Sequence, residues 1–254
     1  MAGRYELKFI VSAAEHERLL ALIGGHLVAD PHGEEACYRI SSVYYDTRDL
    51  RYYWEKVDGI EVRKKVRLRF YHPAQDSAAA AVPMAYFLEI KRRFNNAIVK
   101  ERLPLREDGA RRLLADASWL TRLREMAVPG DALEREALVN LETICERDEL
   151  QAVNIITYIR EAWMGSLDER LRLTFDYFIQ AYSPWQVDAV RSNGGTPLVA
   201  HNAMVLELKF DRAIPVWLRD AIVSMGLAQQ RFSKYAHAVE QLHLNTPLSG
   251  RLLL

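Results

Sequence analysis

The sequence predicts an α+β protein built around a large antiparallel β-sheet. Eight segments alternate apolar and polar residues with a period of two, which is the pattern of strands that bury one face. Helical patterns are few, and they stand in blocks between groups of strands instead of following each strand in turn. Because the same type of strand resumes after each loop, we expect one domain over residues 1–254.

The predicted strands are separated by short turns and by two longer loops. Asp58-Gly59 is a turn signal before the third strand. Residues 72–85 are rich in Ala and contain Pro near both ends, and residues 183–202 contain Ser-Pro and Asn-Gly-Gly, so we expect a loop in each. The strands are predicted at 4–11, 38–46, 60–71, 85–93, 97–103, 153–163, 170–180 and 203–211.

Five helices complete the predicted element order. Residues 12–23 begin with Ser12 and Glu15 at the spacing of a capping box and end before Gly24. Residues 106–126 and 131–146 carry apolar side chains at helical spacing, which predicts amphipathic helices that cover the sheet. Pro215 begins a fourth helix, and the last helix begins near Ser233.

Composition and charge exclude several classes of function. Lys and Arg number 34, as do Asp and Glu, so the chain lacks the basic excess that is typical of nucleic-acid-binding proteins. Glu6 and Lys8 fall where a signal peptide would be apolar, and no segment approaches the ~20 apolar residues of a membrane span. The low number of cysteines, two, fits a reducing compartment. Together, these observations predict a cytoplasmic protein without nucleic-acid binding or direct membrane insertion.

The polar faces of the predicted strands are unusually basic. Residues two apart in a strand share a face, and Arg or Lys occupies every second position from 63 to 69. A Glu stands two residues before a Lys at Glu6, Glu89 and Glu207. For any one strand, the solvated face of a one-sided sheet also explains the pattern. Its repetition favours one shared basic surface, to which further strands contribute Lys100 and Arg102, Arg160, and Arg170 and Arg172.

A sheet closed into a barrel would bring these faces into one cationic tunnel, with helices on its apolar outside. At an effective dielectric constant near 20, two like charges about 4 Å apart repel by about 4 kcal/mol. A bound polyanion would relieve that repulsion, and Arg and Lys suit phosphate oxygens. Carboxylates beside phosphates suit Mn²⁺ or Mg²⁺. The expected ligand is therefore a condensed phosphate or a nucleoside triphosphate with a divalent metal.

An ordered set of motifs resembles the VTC domain, the polyphosphate polymerase domain of the vacuolar transporter chaperone complex. That domain belongs to the CYTH, or triphosphate tunnel metalloenzyme, superfamily, and the resemblance implies a closed antiparallel tunnel of eight strands. Many of the superfamily's triphosphatases begin with Glu-x-Glu-x-Lys, whereas Arg4 holds the first position here, which argues against a two-metal hydrolytic site. The motifs are RYELK at 4–8, SVYYDT at 42–47, VRLRFY at 66–71, LEIK at 88–91, YIREA at 158–162, RLTFD at 172–176, LELK at 206–209 and FSKY at 232–235.

The resemblance also implies roles for individual residues. Glu207 matches the family's metal-binding glutamate, and Glu6 and Glu89 are further candidate metal ligands. The phosphate-binding residues that the resemblance implies are Lys8, Arg67, Arg69, Lys91, Lys100, Arg160, Arg172, Ser233 and Lys234. The candidate catalytic residues are Lys8, Arg67, Arg69, Lys91, Arg160, Arg172 and Glu207.

The expected function is that of a metal-dependent polyphosphate polymerase, which transfers the terminal phosphoryl group of ATP or another nucleoside triphosphate to a growing polyphosphate chain. The anionic chain end is itself a nucleophile, which fits a tunnel richer in cations than in carboxylates. Two alternatives stay open. One is hydrolysis of tripolyphosphate or a nucleoside triphosphate, with Glu6 or Glu89 as the base, and the other is a polyphosphate-binding module without catalysis.

Overall fold

Ten strands form one antiparallel sheet in the computed structural model, which describes residues 5–31, 36–73, 85–94, 97–191 and 194–244. The eight predicted strands are all present, with ends that differ from the prediction by at most two residues, and β2 and β9 are short additions. The strands are β1 (Tyr5–Ser12), β2 (Leu27–Ala29), β3 (Cys37–Asp46), β4 (Val62–Pro73), β5 (Tyr86–Phe94), β6 (Ala97–Leu105), β7 (Gln151–Gly165), β8 (Arg172–Tyr182), β9 (Thr196–Pro197) and β10 (Ala203–Phe210).

The sheet curls so that its two ends approach each other. Its strand order is β1-β10-β8-β7-β3-β4-β5-β6, with β2 beside β7 and β9 beside β8. Lys91 on β5 nevertheless places its Nζ 3.4 Å from Oε2 of Glu6 on β1, at the other end of the path. The two ends of the sheet therefore lie close together around its inner face, as the predicted antiparallel tunnel requires.

Most of the helices cover the outer face of the sheet. Leu19 and Ile222, on the first and sixth helices, pack with Phe9, and Leu113 on the third helix packs with Leu68. Among the described residues, no helix is long and apolar enough to cross a membrane. The helices are α1 (Ala13–Ile23), α2 (Arg51–Val57), α3 (Glu107–Ala115), α4 (Leu123–Met126), α5 (Ala132–Asp148), α6 (Val216–Ser224) and α7 (Lys234–Val239).

The predicted helix over 106–126 is wrong as a single element. Asp116 has an extended backbone, with φ −150° and ψ 117°, and its Oδ1 accepts a hydrogen bond from Ser118 N at 2.8 Å. An Asp side chain that bonds the backbone in this way competes with helix propagation and starts a new turn. The segment is therefore α3, a 3₁₀ helix over Ala117–Arg122, and α4.

Helix α2 is a further element that the sequence pattern did not predict. Its first turn depends on Asp46 at the end of β3, whose carboxylate accepts hydrogen bonds from Tyr52 N at 2.9 Å and Tyr53 N at 3.0 Å. Asp46 lies five residues before the helix begins, outside the usual N-cap position. The cap is therefore made by the fold of the chain and not by a local motif.

Helix α7 differs from the other helices because it lies against the inner face of the sheet. It begins after Ser233, as predicted, and its Tyr235 stacks on Tyr44 with ring centroids 5.0 Å apart. Tyr235, Ala236 and Val239 are buried together with residues of β3 and β7. The helix thus fills part of the tunnel and brings Lys234 among the strands.

Candidate functional site

Strand register aligns the carboxylates of the tunnel with its cations. Glu89 on β5 lies opposite Arg67 on β4, and Glu207 on β10 lies opposite Lys8 on β1. Directly opposed residues of an antiparallel pair share a face, so each carboxylate meets a cation inside the tunnel. The side chains of Glu89 and Glu207 are only 1% and 7% exposed. Both carboxylates therefore belong to the tunnel wall.

Glu89 holds cations from two neighbouring strands. Its Oε2 lies 2.8 Å from Arg67 Nε and 3.9 Å from Arg69 Nε, and its Oε1 lies 2.8 Å from Lys100 Nζ and 2.9 Å from Arg102 Nε. Burial disfavours the ionised carboxylate, but Arg67, Arg69 and Lys100 outweigh burial and hold the pKa of Glu89 well below its usual range. Both carboxylate oxygens are thus engaged by cations.

Glu207 is the corresponding centre on the other side of the tunnel. Its Oε1 lies 3.0 Å from Lys8 Nζ and 3.4 Å from Lys234 Nζ. Its Oε2 lies 3.2 Å from Lys209 Nζ and 3.7 Å from Arg160 Nη2. Burial again opposes ionisation, but Lys8, Lys234 and Lys209 hold the pKa of Glu207 well below its usual value. Glu207 is therefore ionised and surrounded by the cations of four elements.

Asp176 positions two of these cations. Its Oδ1 and Oδ2 accept hydrogen bonds from Arg160 Nε and Nη2 at 2.6 and 2.7 Å, a bidentate arrangement, and Oδ2 also accepts one from Lys234 Nζ. The side chain of Asp176 is fully buried. Because Arg160 lies on β7 and Lys234 on α7, this one carboxylate joins both elements to β8.

Lys8 connects the two carboxylates at the β1 end of the sheet. Its Nζ lies 3.0 Å from both Glu6 Oε1 and Glu207 Oε1. Burial would lower the pKa of Lys8, but Glu207 and Glu6 raise it above its usual value. Burial would in turn raise the pKa of Glu6, but Lys8 and Lys91 lower it to about 2. All three groups are therefore charged at neutral pH.

Two tyrosines orient the arginines of β4. Arg67 Nη1 donates to Tyr44 Oη at 3.0 Å, and Arg69 Nη2 donates to Tyr158 Oη at 3.1 Å. Burial would raise the pKa of Tyr44, but Arg67 and Arg69 together lower it. Each guanidinium is thereby held by a tyrosine oxygen as well as by Glu89, and preorganised donors of this kind suit binding of a developing anion.

Arg172 and Ser233 lie at the margins of this arrangement. The side chain of Arg172 is 35% exposed, and its Nη2 contacts Asp30 near the rim of the tunnel. Ser233 Oγ accepts a hydrogen bond from Lys65 Nζ at 2.9 Å and caps α7 through Ala236 N at 3.3 Å.

Arg170 does not lie in the tunnel, although the period-two pattern placed it on the face of Arg172. It precedes β8, its side chain is 73% exposed, and it pairs with Asp211 at 3.1 Å. The alternation fails there because the backbone is not yet a strand. Arg4, at the first position of the RYELK motif, lies outside the described residues, as do residues 74–84 of the predicted loop.

The predicted site residues therefore come together instead of pointing to separate surfaces. Arg67, Arg69 and Lys100 surround Glu89, and Lys91 reaches across the tunnel to Glu6. Arg172 lies at the rim, and Ser233 is hydrogen-bonded to Lys65. The cluster around Glu207 and Asp176 contains the remaining predicted cations, Lys8, Arg160 and Lys234.

Sequence reasoning missed four residues of the tunnel as site residues. Lys65, Arg102 and Lys209 were visible through strand parity, because each lies two residues from a predicted site residue on the same strand. Asp176 also shares the parity of Arg172, and it ends the RLTFD motif. Its role as the partner of Arg160 depends on the register between β7 and β8, which the pattern of one strand does not contain.

Glu207 offers a partial site for a divalent metal. In the described part of the chain, no group of three or more His, Cys, Asp or Glu side chains could hold a metal ion. Mg²⁺ commonly binds one or two carboxylates and takes its other ligands from water and substrate phosphates. Thr174, opposite Glu207 in the register, has a buried Oγ1 that finds no hydrogen-bond partner among the described residues. These donors fit a metal shared with a phosphate ligand and not a cage made by the protein alone.

Two solved structures share the fold of this chain, which is that of the CYTH tunnel proteins. A candidate adenylate cyclase from Bacillus halodurans matches with a TM-score of 0.51 at 12% identity, over 95% of this chain and 99% of that one. A candidate adenylyl cyclase from Hippeastrum, described as having a dominant triphosphatase activity, matches with a TM-score of 0.55 at 14% identity, over 93% and 95% of the two chains. Likeness at these identities shows the fold.

The family follows from the sequence. The VTC domain family model matches residues 3–243, so the chain belongs to the VTC domain family. This confirms the resemblance seen in the eight motifs. A search of curated protein sequences found no significant match.

Proposed function

We propose that the tunnel binds triphosphate and polyphosphate chains and transfers the terminal phosphoryl group of ATP to a polyphosphate end. The observation that supports this most strongly is the excess of basic side chains over carboxylates on the inner face. The carboxylates are Glu6, Glu89, Asp176 and Glu207, with Asp30 beside Arg172 at the rim and Asp46 against Tyr235 of α7. The basic side chains are Lys8, Lys65, Arg67, Arg69, Lys91, Lys100, Arg102, Arg160, Arg172, Lys209 and Lys234.

The pKa values of two lysines support a polyanionic ligand. Burial, with Arg67 and Arg69 nearby, lowers the pKa of Lys100 to about 7 although Glu89 raises it. Burial also lowers the pKa of Lys209 to about 8 against the effect of Glu207. Both ammonium groups therefore lose their protons more readily than those of a lysine in water, and phosphate oxygens beside them would favour the protonated forms.

The transfer needs little from the protein beyond positioning and charge neutralisation. A terminal oxygen of the bound polyphosphate forms a new bond to the γ-phosphorus of ATP. The bond from that phosphorus to the β–γ bridging oxygen breaks, and ADP leaves with the electron pair. Arg67 and Arg160, held by Glu89 and Asp176, are placed to neutralise charge without reorganising. Lys8 and Lys234 serve the same purpose beside Glu207.

Glu207, with Glu6 on the other side of Lys8, is the proposed protein ligand of Mn²⁺ or Mg²⁺. When bound, such a metal would withdraw charge from phosphate oxygens. Glu89 has a different proposed role. Its Oε2 and Oε1 lie 2.7 and 2.8 Å from their nearest cations, closer than the 3.2 and 3.0 Å of Glu207, so we assign Glu89 to positioning cations and not to the metal.

Hydrolysis is the second candidate function, and the triphosphatase activity described for the Hippeastrum neighbour favours it. It requires a base to activate water. Glu6, with a pKa of about 2, and Glu89, with a pKa well below its usual range, are weak bases at neutral pH. A polyphosphate end needs no such base because it is already an anion. The low basicity of Glu6 and Glu89 therefore favours transfer to a polyphosphate end over hydrolysis.

Product analysis after incubation with ATP and Mn²⁺ tests the proposal. Phosphate chains longer than the nucleotide's own triphosphate are expected, and Arg67→Met should abolish them. Arg111→Met is the matched control, because Arg111 is exposed and pairs with Glu107 on the outer helix α3. Orthophosphate alone would overturn the polymerase in favour of the hydrolase. Stabilisation by ATP without turnover would overturn both activities in favour of a binding module.

A further inference from the structure

Lys65 is a tunnel lysine that neither the family motifs nor the mechanism above uses. It lies on β4 with the parity of Arg67, and its Nζ donates to Ser233 Oγ at 2.9 Å. The same Nζ lies 5.5 Å from the centre of the Tyr235 ring. Its side chain therefore points inward, between the sheet and the first turn of α7.

Lys65 differs from the other tunnel lysines in its partners. Lys8, Lys91, Lys100, Lys209 and Lys234 each have a carboxylate oxygen within 3.4 Å. Among the described residues, no carboxylate lies within 4.0 Å of Lys65 Nζ, and its polar partner is the neutral hydroxyl of Ser233. A buried ammonium with no counterion is costly, because burial removes water without replacing its charge stabilisation.

The charged groups that act on Lys65 are cations on β1, β4, β5 and α2. Its directly opposed residue on β5 is Lys91. Burial is the main cause that lowers the pKa of Lys65 well below 10.5, and like charges add to it. Those like charges are Lys91 on β5, Lys8 on β1, Lys56 on α2 and Arg67 on β4, whereas α7 and its N-cap contact Lys65 through the Tyr235 ring and the Ser233 hydroxyl, which are neutral.

We propose that Lys65 completes the anion site of the tunnel and takes up a proton from solvent when a phosphate group of a triphosphate or polyphosphate chain binds beside it. This inference rests on the proposed phosphate-binding function. The incoming phosphate supplies the negative charge that no side chain provides at this position. The amine then becomes an ammonium that donates to phosphate oxygens, so binding of the chain is coupled to protonation.

Calorimetric titration with tripolyphosphate, in the presence of EDTA and at about pH 8, measures this coupling. Titrations in buffers with different enthalpies of ionisation give the number of protons taken up for each chain bound. Lys65→Met should take up fewer protons than the wild type and bind at least about tenfold more weakly, because a hydrogen bond to a charged group is lost. Lys64→Met is the control, since Lys64 pairs with Asp148 on the outer side of β4.

Lys65→Arg provides a positive charge that does not depend on proton uptake. It also serves as the test if the Met variant does not fold. A guanidinium stays charged at this pH, so this variant should retain binding but take up fewer protons than the wild type. Binding and proton uptake that are unchanged in both variants would overturn the inference alone. Tripolyphosphate binding without phosphoryl transfer from ATP would overturn the proposed polymerase and leave the inference standing. A wild type that does not bind tripolyphosphate would overturn both.

Discussion

Glu6 and Lys91 meet across the tunnel, with Oε2 of the glutamate 3.4 Å from Nζ of the lysine, although their strands stand near opposite ends of the sheet path. Among the described residues, no backbone pairing joins β1 to β5, and the two strands are connected here by an ion pair between side chains. Because Lys8 also reaches Glu6, the same carboxylate belongs to the cluster around Glu207. The arrangement of charge in the tunnel thus depends on how tightly the sheet curls.

The Glu6–Lys91 pair should contribute little to stability. Lys91 is 41% exposed, and partly exposed ion pairs contribute below about 1 kcal/mol. A double-mutant cycle with Glu6→Gln and Lys91→Met, followed by urea unfolding, should give a coupling free energy in that range. A coupling above about 3 kcal/mol, the range of buried pairs, would show instead that the contact holds the sheet together.

Glu89→Gln should destabilise the empty protein strongly. It leaves Arg67, Lys100 and Arg102 buried or half-buried without their carboxylate, and loss of one partner of a buried pair costs about 3–5 kcal/mol. Tripolyphosphate should restore part of the lost free energy of unfolding, because phosphate oxygens can replace the carboxylate. Glu107→Gln, at an exposed pair on α3, should change the free energy of unfolding by about 0.5 kcal/mol or less. An equal loss in both variants would contradict the role given to Glu89.

Tripolyphosphate affinity should fall as the pH rises from about 7 to about 9. The pKa of Lys100 is about 7 in the empty tunnel, so the amine loses its proton over this range, while a bound phosphate favours the ammonium. Each proton taken up on binding weakens affinity up to about tenfold for every pH unit above that pKa. Lys100→Arg should show a shallower dependence because the guanidinium stays charged. Identical pH profiles for wild type and variant would contradict this assignment.

Glu207→Gln should separate binding from turnover. Removal of one negative charge beside Lys8 and Lys234 should leave metal-free binding of tripolyphosphate equal or tighter. The same change should abolish metal-dependent turnover, because the proposed metal ligand is lost. Glu101→Gln is the matched control on the outer side of β6, where Glu101 pairs with Arg92 and Asn140. Retained metal-dependent turnover in Glu207→Gln would overturn the role of Glu207.

The inner face of the tunnel was predictable because strand parity is a strict rule. Arg67 and Arg69 share a face whatever the rest of the fold does, and both lie inside. The rule reaches only as far as the strand, so Arg170, which precedes β8, lies outside the tunnel. Strand parity also does not show which side chains pair with each other. The pairing of Arg160 with Asp176 follows from the register of β7 and β8.

The helices likewise differ in whether a local motif or a tertiary contact determines where they begin. The capping box of Ser12 and Glu15 is a local motif, and the structure has both of its hydrogen bonds, at 2.7 and 3.2 Å. Helix α2 instead depends on Asp46, whose carboxylate also accepts a hydrogen bond from Tyr235 on α7. No periodicity within 51–57 contains that contact, so the sequence pattern could not reveal the helix.

We propose that phosphate chains bind among the cations of the tunnel. The decisive measurement is a crystal structure with tripolyphosphate and Mn²⁺. Phosphate groups are expected within hydrogen-bond distance of Arg67, Arg160 and Lys8, with the metal on Glu207. Phosphate bound only in the outer groove between β4, β5 and α5, which Lys64, Arg92 and Arg147 line, would contradict this.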